Sequence, residues 1–203
     1  MIRLPGALLA LVLAALAVSA IGSYDTTTWI EEVVPIFLAV PILVATKRRF
    51  PLTSLVYVLL SIHAVILMVG GHWSYARVPA GDWVRDWLHL SRNPYDRLGH
   101  LAQGFVPGLL AREILLRTSP LKRGKWLFAL VVSICLAFSA FYELVEWWTA
   151  EATGGATDFL GTQGDVWDTQ WDMLMALVGA VLGLVTLSRL HDGQLARIHE
   201  VSG

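Results

Sequence analysis

A single cysteine, Cys135, in 203 residues leaves no partner for an internal disulfide and too few thiolates for a metal cluster, so chemistry through sulfur is excluded. Charge is almost as scarce. Charged residues make up 15% of the chain against 56% hydrophobic ones, and the mean hydropathy is +0.60, whereas a water-soluble domain carries about 25% charged residues. The formal net charge is −1 and the basic residues form no stripe, which sets nucleic acid aside as a partner. Long soluble connections are also missing. Residues 1–203 therefore read as a single integral membrane domain.

What is present in quantity is apolar helix. A hydrocarbon core about 30 Å thick needs roughly 20 mostly apolar residues per crossing, and six stretches meet or approach this: 4–21, 30–46, 52–70, 99–116, 126–148 and 168–188. The expected fold is an all-α, polytopic membrane bundle of about six transmembrane helices. The first stretch also has features of a secretory signal, but its apolar run is longer than the roughly 7–15 residues of a signal core and only Arg3 supplies positive charge. It is read as a membrane helix. The segment 71–98 contains "DWVRDWLHL", whose Trp83, Val84, Trp87 and Leu88 share one helical face, and this suits a short helix in the membrane interface.

Lys and Arg favour the cytoplasmic side of short loops. Eleven of the fifteen basic residues (3, 47–49, 112, 117, 122, 123, 125, 189 and 197) fall on one side of the six stretches, and four (77, 85, 92 and 97) on the other. Both termini are thus expected in the cytoplasm. Thirteen of the sixteen acidic residues and eight of the nine tryptophans lie toward the outward side, so the acids gather where the bases do not.

Ionisable groups inside membrane helices are costly and face a cavity or a partner. Asp96 and His100 in "YDRLGH" are four apart on one helical face, which lets the carboxylate fix the imidazole tautomer. Glu143 and Glu146 in "YELVEWW" are three apart, close enough that a shared cation or proton would relieve their repulsion. Asp168 and Asp172 in "GTQGDVWDTQWDM" are one turn apart at the start of the sixth stretch, while Asp165 before them suits helix capping. Oxygen-rich donors with an imidazole suit a divalent ion of unspecified identity, so His100, Glu143, Asp168 and Asp172 are the expected metal ligands. Glu146 is read as a general base or ligand, and Asp96 as the residue that orients His100. His63 and His72 are possible additions, although a mid-helix histidine such as His63 is more often a packing residue. Arg112 and Glu113 are expected to snorkel or to pair with each other.

The motifs "NPYDRLGHLAQGF", "FYELVEWW" and "GTQGDVWDTQWDM", within 93–187, closely resemble the YjdF family of bacterial inner-membrane proteins. More distantly, Asp96, Arg97, His100, Glu143, Asp168, Gly179 and Gly183 are similar to the pattern of VanZ-like membrane domains, with Glu146 and Asp172 standing where amides are expected. These resemblances imply an inner-membrane, envelope setting and name no reaction. The function expected is metal-assisted hydrolysis or transfer on a lipid or lipid-linked substrate. The alternatives are a proton- or cation-coupled transporter, or a structural or sensory protein whose polar cluster holds helices together. The orientation has a direct test: a reporter active only outside the cytoplasm is expected to work when fused after Gly155 and to fail after Lys122, and the reverse pattern would overturn the topology.

Overall fold

A computed structural model describes residues 3–153 and 162–202. Among them the chain forms α1 (Arg3–Ala20), α2 (Thr26–Thr46), α3 (Ser54–Trp73), a 3₁₀ turn (Tyr75–Arg77), α4 (Pro79–Leu88), α5 (Tyr95–Thr118), α6 (Lys125–Thr153) and α7 (Asp168–Ser202), with no strand. Helices α2, α3, α6 and α7 are long and apolar enough to cross a membrane, and α1 is a shorter apolar helix. The helix predicted in the interface is α4, which leaves Trp83 and Trp87 exposed while Arg85 pairs with Asp82 and Asp86. Asp158, one of the thirteen acids expected on the outward side, lies outside the described residues.

Local chemistry sets the helix starts. Asp25 caps α2 by accepting the Thr28 amide at 2.7 Å, and that bond holds its carboxyl below the usual carboxylate range. Thr53 caps α3 by accepting from the Val56 amide. Helices α1, α2 and α3 form one core around Val12, Leu16, Val33, Ile36, Ala64 and Met68. The end of α1 is tied on by Trp29 Nε1 donating to the Ser19 hydroxyl at 3.1 Å and His72 Nδ1 at 2.8 Å from the Ser19 carbonyl.

Helix α5 is buried over most of its surface, with Gly99, His100, Gly104, Gly108, Leu109 and Arg112 enclosed while Leu98 and Ile114 stay exposed. Its partner is α7, and the two backbones touch. A Cβ on Gly104 would lie 1.8 Å from the Ala176 carbonyl oxygen, and one on Gly179 would lie 2.0 Å from that of Leu101. Gly183 meets Phe105 and Leu109 one turn further on, so small residues four apart let the helices approach to van der Waals distance. Two expected boundaries move as a result. Helix α5 begins at Tyr95 rather than 99, and α7 continues to Ser202, well beyond 188, because His191 and Leu195 are themselves buried and keep the helix packed past the apolar run.

This contact makes a quantitative expectation. Gly179→Ala should cost about 1–3 kcal/mol through overpacking, whereas Gly193→Ala, on the same helix with open space around it, should leave stability equal or slightly higher. Thermal unfolding in detergent compares them; equal midpoints would mean that α5 and α7 are not in backbone contact.

Candidate functional site

Because α5 and α7 run so close, Arg97 in the first turn of α5 and Arg92 just before it meet the aspartates at and just before the start of α7. Arg92 pairs with Asp168, with Asp96 at 3.0 Å and with Asp165 at 3.7 Å. Arg97 pairs with Asp172, with Asp168 at 2.8 Å and with Asp165 at 3.1 Å. Two guanidiniums therefore serve four carboxylates, and a fork of fixed N–H donors suits this shared geometry. Asp165 also accepts the Trp167 amide at 2.9 Å, so it orders the turn before α7 as well as holding Arg97.

Beside this cluster lies a small cavity of about 50 Å³, lined among others by Glu32, His63, Tyr75, His100, Tyr142 and Glu146. His100 is buried at its wall, with Nδ1 2.9 Å from Gln103 Oε1 and 3.9 Å from Glu143. Its Nε2 lies 3.5 Å from Asp96 and 3.8 Å from Asp172. The imidazole thus stands between two acidic corners. Ligand atoms of Asp96, His100 and Asp172 lie within 4.8 Å of one another, and so do those of His100, Glu143 and Glu146. The first corner already contains both guanidiniums. In the second, Glu143 Oε1 is buried with no hydrogen-bond partner among the described residues, and so is the Ser139 hydroxyl one turn below it.

A second polar network closes the opposite end of the bundle. Glu113, fully buried, accepts from the Thr53 amide and hydroxyl, from Arg117 at 2.7 Å and from His191 Nε2 at 3.0 Å. Arg112 Nη1 lies 3.1 Å from His191 Nδ1 and its Nη2 donates to Asp192 at 2.6 Å. A guanidinium only donates, so Nδ1 accepts and Nε2 carries the proton that reaches Glu113. Arg112 and Glu113 therefore pair with α3 and α7 and not with each other, contrary to expectation. Here every carboxylate is matched by donors, and the network ties three helices together.

Residues 4–193 match the family described as "Predicted membrane protein (DUF2238)". The chain is 54% identical over 184 residues to Inner membrane protein YjdF of Escherichia coli strain K12, covering 90% of this chain and 88% of that relative. The chain belongs to this YjdF family. No solved structure matches it. It is a multi-pass membrane protein, and the three motifs that carried the resemblance supply most of the residues in the cluster around His100.

Within this YjdF-family chain the expected ligands divide. His100, Glu143, Glu146, Asp96 and Asp172 come together, but Asp168 is turned to Arg92 and Arg97, and it belongs to neither group of converging ligand atoms. The aspartates' spacing gave no sign of this, because the arginines lie some 70 residues away in sequence. His72 is held by the Ser19 carbonyl and stacks edge-on against Trp73, so it is a tie between α1 and α3. His63 does reach the cavity, and its Nε2 is buried without a partner among the described residues. Glu32, Tyr75, Gln103 and Tyr142 were missed. Glu32 is the only one with a usable sign, an acid inside an apolar run, but beside Glu31 it reads as a headgroup-level residue.

The guanidinium cluster has its own test. Arg97→Gln leaves Asp172 and Asp168 short of a partner in a buried setting and should cost about 3–5 kcal/mol, with partial recovery in Arg97→Gln/Asp172→Asn. Arg85→Gln, at an exposed pair, should cost no more than about 1 kcal/mol. Chemical unfolding in detergent separates them, and a neutral Arg97→Gln would overturn the assignment.

Proposed function

We propose that this chain is a divalent-metal-dependent hydrolase or transferase of the inner membrane that acts on a lipid or lipid-linked substrate at the outward face. One observation carries this reading: His100 and Glu146, on the wall of the cavity, converge with Glu143 behind them in a corner that receives no guanidinium from the described residues, and a buried Glu143 oxygen there has no hydrogen-bond partner among them. Two close carboxylates that no guanidinium reaches favour a shared proton or a bound cation, and an imidazole with two oxygens suits a borderline divalent ion. Such an ion would lower the pKa of a bound water toward neutrality.

The protein groups then have distinct tasks. Glu143 and His100 would hold the ion, and Glu146 would complete the set or act as the base toward water. Asp96, anchored by Arg92, fixes His100 from its other nitrogen. Gln103 orients the imidazole through Nδ1. Asp172 stands at the margin, its charge divided between Arg97 and His100. Asp168 takes no part in ligation.

The topology proposal joins α1 and α5 to the four apolar helices as crossings. Helix α5 has 24 residues, about 36 Å at 1.5 Å per residue, and its charges are confined to its two ends. The split of basic residues supports both termini in the cytoplasm and the site outside. The inner-membrane name of the relative supports the location, and the distant VanZ-like pattern fits an envelope setting. Transport is the second reading, favoured by His63 below the site, but an apolar region separates His63 from the Glu113–His191 network at the other end, which disfavours a continuous ion path.

Elemental analysis of protein purified in metal-replete buffer decides the metal. Glu143→Gln and Glu146→Gln should each weaken metal binding at least about tenfold, while Asp165→Asn leaves it unchanged and Asp168→Asn lowers stability rather than metal content. Equal metal in all variants, or none in the wild type, would overturn the proposal.

A further inference from the structure

Directly below the polar cavity lies a second one, of about 500 Å³ and almost wholly apolar, formed by α1, α2, α3, α5 and α6. That volume lies within the roughly 300–1,000 Å³ range of small-molecule sites. Pro35, His63, Leu67 and Phe138 line both cavities, so the two adjoin across these side chains, a polar upper chamber against an apolar lower one. The lower chamber runs along α2 from Pro35 to Lys47, twelve residues or about 18 Å, slightly more than half of a hydrocarbon core about 30 Å thick. Prolines help to hold it open: Pro35 and Pro107 lie inside α2 and α5 and on its wall, and each removes a helical hydrogen bond and pushes on the preceding turn. Leu38, Ile42 and Ile134 line the chamber and are also exposed on the flank of the bundle, so it opens sideways.

At the junction of the chambers is the buried Nε2 of His63, without a partner among the described residues. A polar atom in that position, at the top of an apolar slot and below a carboxylate-rich chamber, lacks a ligand of matching chemistry: a hydrocarbon tail joined to an oxygen-bearing head. We propose that the adjoining cavities bind one lipid with a single long tail, the tail directed toward Lys47, the first head-group oxygen at His63 and the rest of the head in the chamber lined by His100 and Glu146. The inference rests on the catalytic reading above, whose substrate it specifies. A lipid with its head at Lys47 would leave His63 unmatched and the upper chamber vacant, so the geometry favours the orientation stated. The shared chemistry is a tail-bound oxygen, which a phosphate monoester or a free alcohol supplies equally.

The probes are hexadecyl phosphate and hexadecanol carrying a photoreactive diazirine on the terminal carbon, incorporated with the full chain into phosphatidylcholine nanodiscs. Cross-links mapped by mass spectrometry are expected at Leu8, Leu43 or Leu110, near the Lys47 end, and excess unlabelled probe should suppress them at least tenfold. Capture of the phosphate but not the alcohol, or the reverse, identifies the head, and both outcomes support the site. Ala39→Trp and Ala111→Leu, which fill the lower chamber, should abolish capture while metal content stays at the wild-type level. His63→Leu should weaken it several-fold. Unsaturable labelling confined to residues exposed on the flank of the bundle, such as Val185, or labelling of Pro35 and Leu67 by the terminal diazirine, would overturn the proposal. The saturation test uses wild-type protein and so does not depend on the folding of any variant. A metal-free wild type that still captures the probe would remove the catalytic reading and leave the lipid site standing.

Discussion

The backbone contact between α5 and α7 is the constraint on which the other features depend. In hydrocarbon there is no hydrophobic drive between helices, so association relies on close packing and polar contacts. Gly104 and Gly179 remove the side chains that would hold the two helices apart, and the polar contacts at each end of the pair are then a matter of reach. At one end the approach brings Arg92 and Arg97 to Asp165, Asp168 and Asp172. At the other it brings Arg112 and Glu113 to His191 and Asp192. Neither set would be tolerable alone, since a buried charge without a partner costs several kcal/mol.

The two ends differ in how completely their charges are matched. Around Glu113 each oxygen has donors, and the network reads as a fastening between α3, α5 and α7. Around His100 the arginines reach only the carboxylates on α5 and α7, leaving those on α6. Glu143 and Glu146 face the imidazole from the side that no guanidinium of the described residues reaches. Positive charge from arginine thus reaches one wall of the cavity and not the opposite one, and the proposed cation site rests on that asymmetry. This difference separates a site from a clamp, although both consist of the same residue types.

Much of the architecture was legible from the sequence because it depends on one-dimensional signals. Apolar length identified the helices, and the i, i+1, i+4 pattern of Trp83, Val84, Trp87 and Leu88 identified α4. The pairs Asp96/His100 and Glu143/Glu146 were legible for the same reason, since helical spacing places them on shared faces. The hidden part depends on contacts between helices. The partner of Asp168 is not a neighbour in sequence, so spacing alone made it resemble a ligand. The end of α7 was misplaced because His191, a polar residue beyond the apolar run, is buried by pairing across to α5. Glu32 entered the site from α2, where its neighbour Glu31 made both acids read as headgroup-level residues.

The stacking of a polar chamber on an apolar one bears on the choice between catalysis and transport. An ion path needs polar groups at successive depths to replace water. Here the groups at successive depths change character instead: carboxylates and imidazole above, then His63, then leucines, isoleucines and prolines for about 18 Å along α2. An ion leaving His63 toward the other end would lose its ligands with nothing to replace them. A hydrocarbon tail on the same route meets matching surface throughout and gains roughly 0.8 kcal/mol for each methylene removed from water only if it starts in water; drawn from the bilayer it gains little, and selectivity must come from the head. That places the burden of recognition on His63 and the carboxylate corner, where the described residues leave polar atoms without partners.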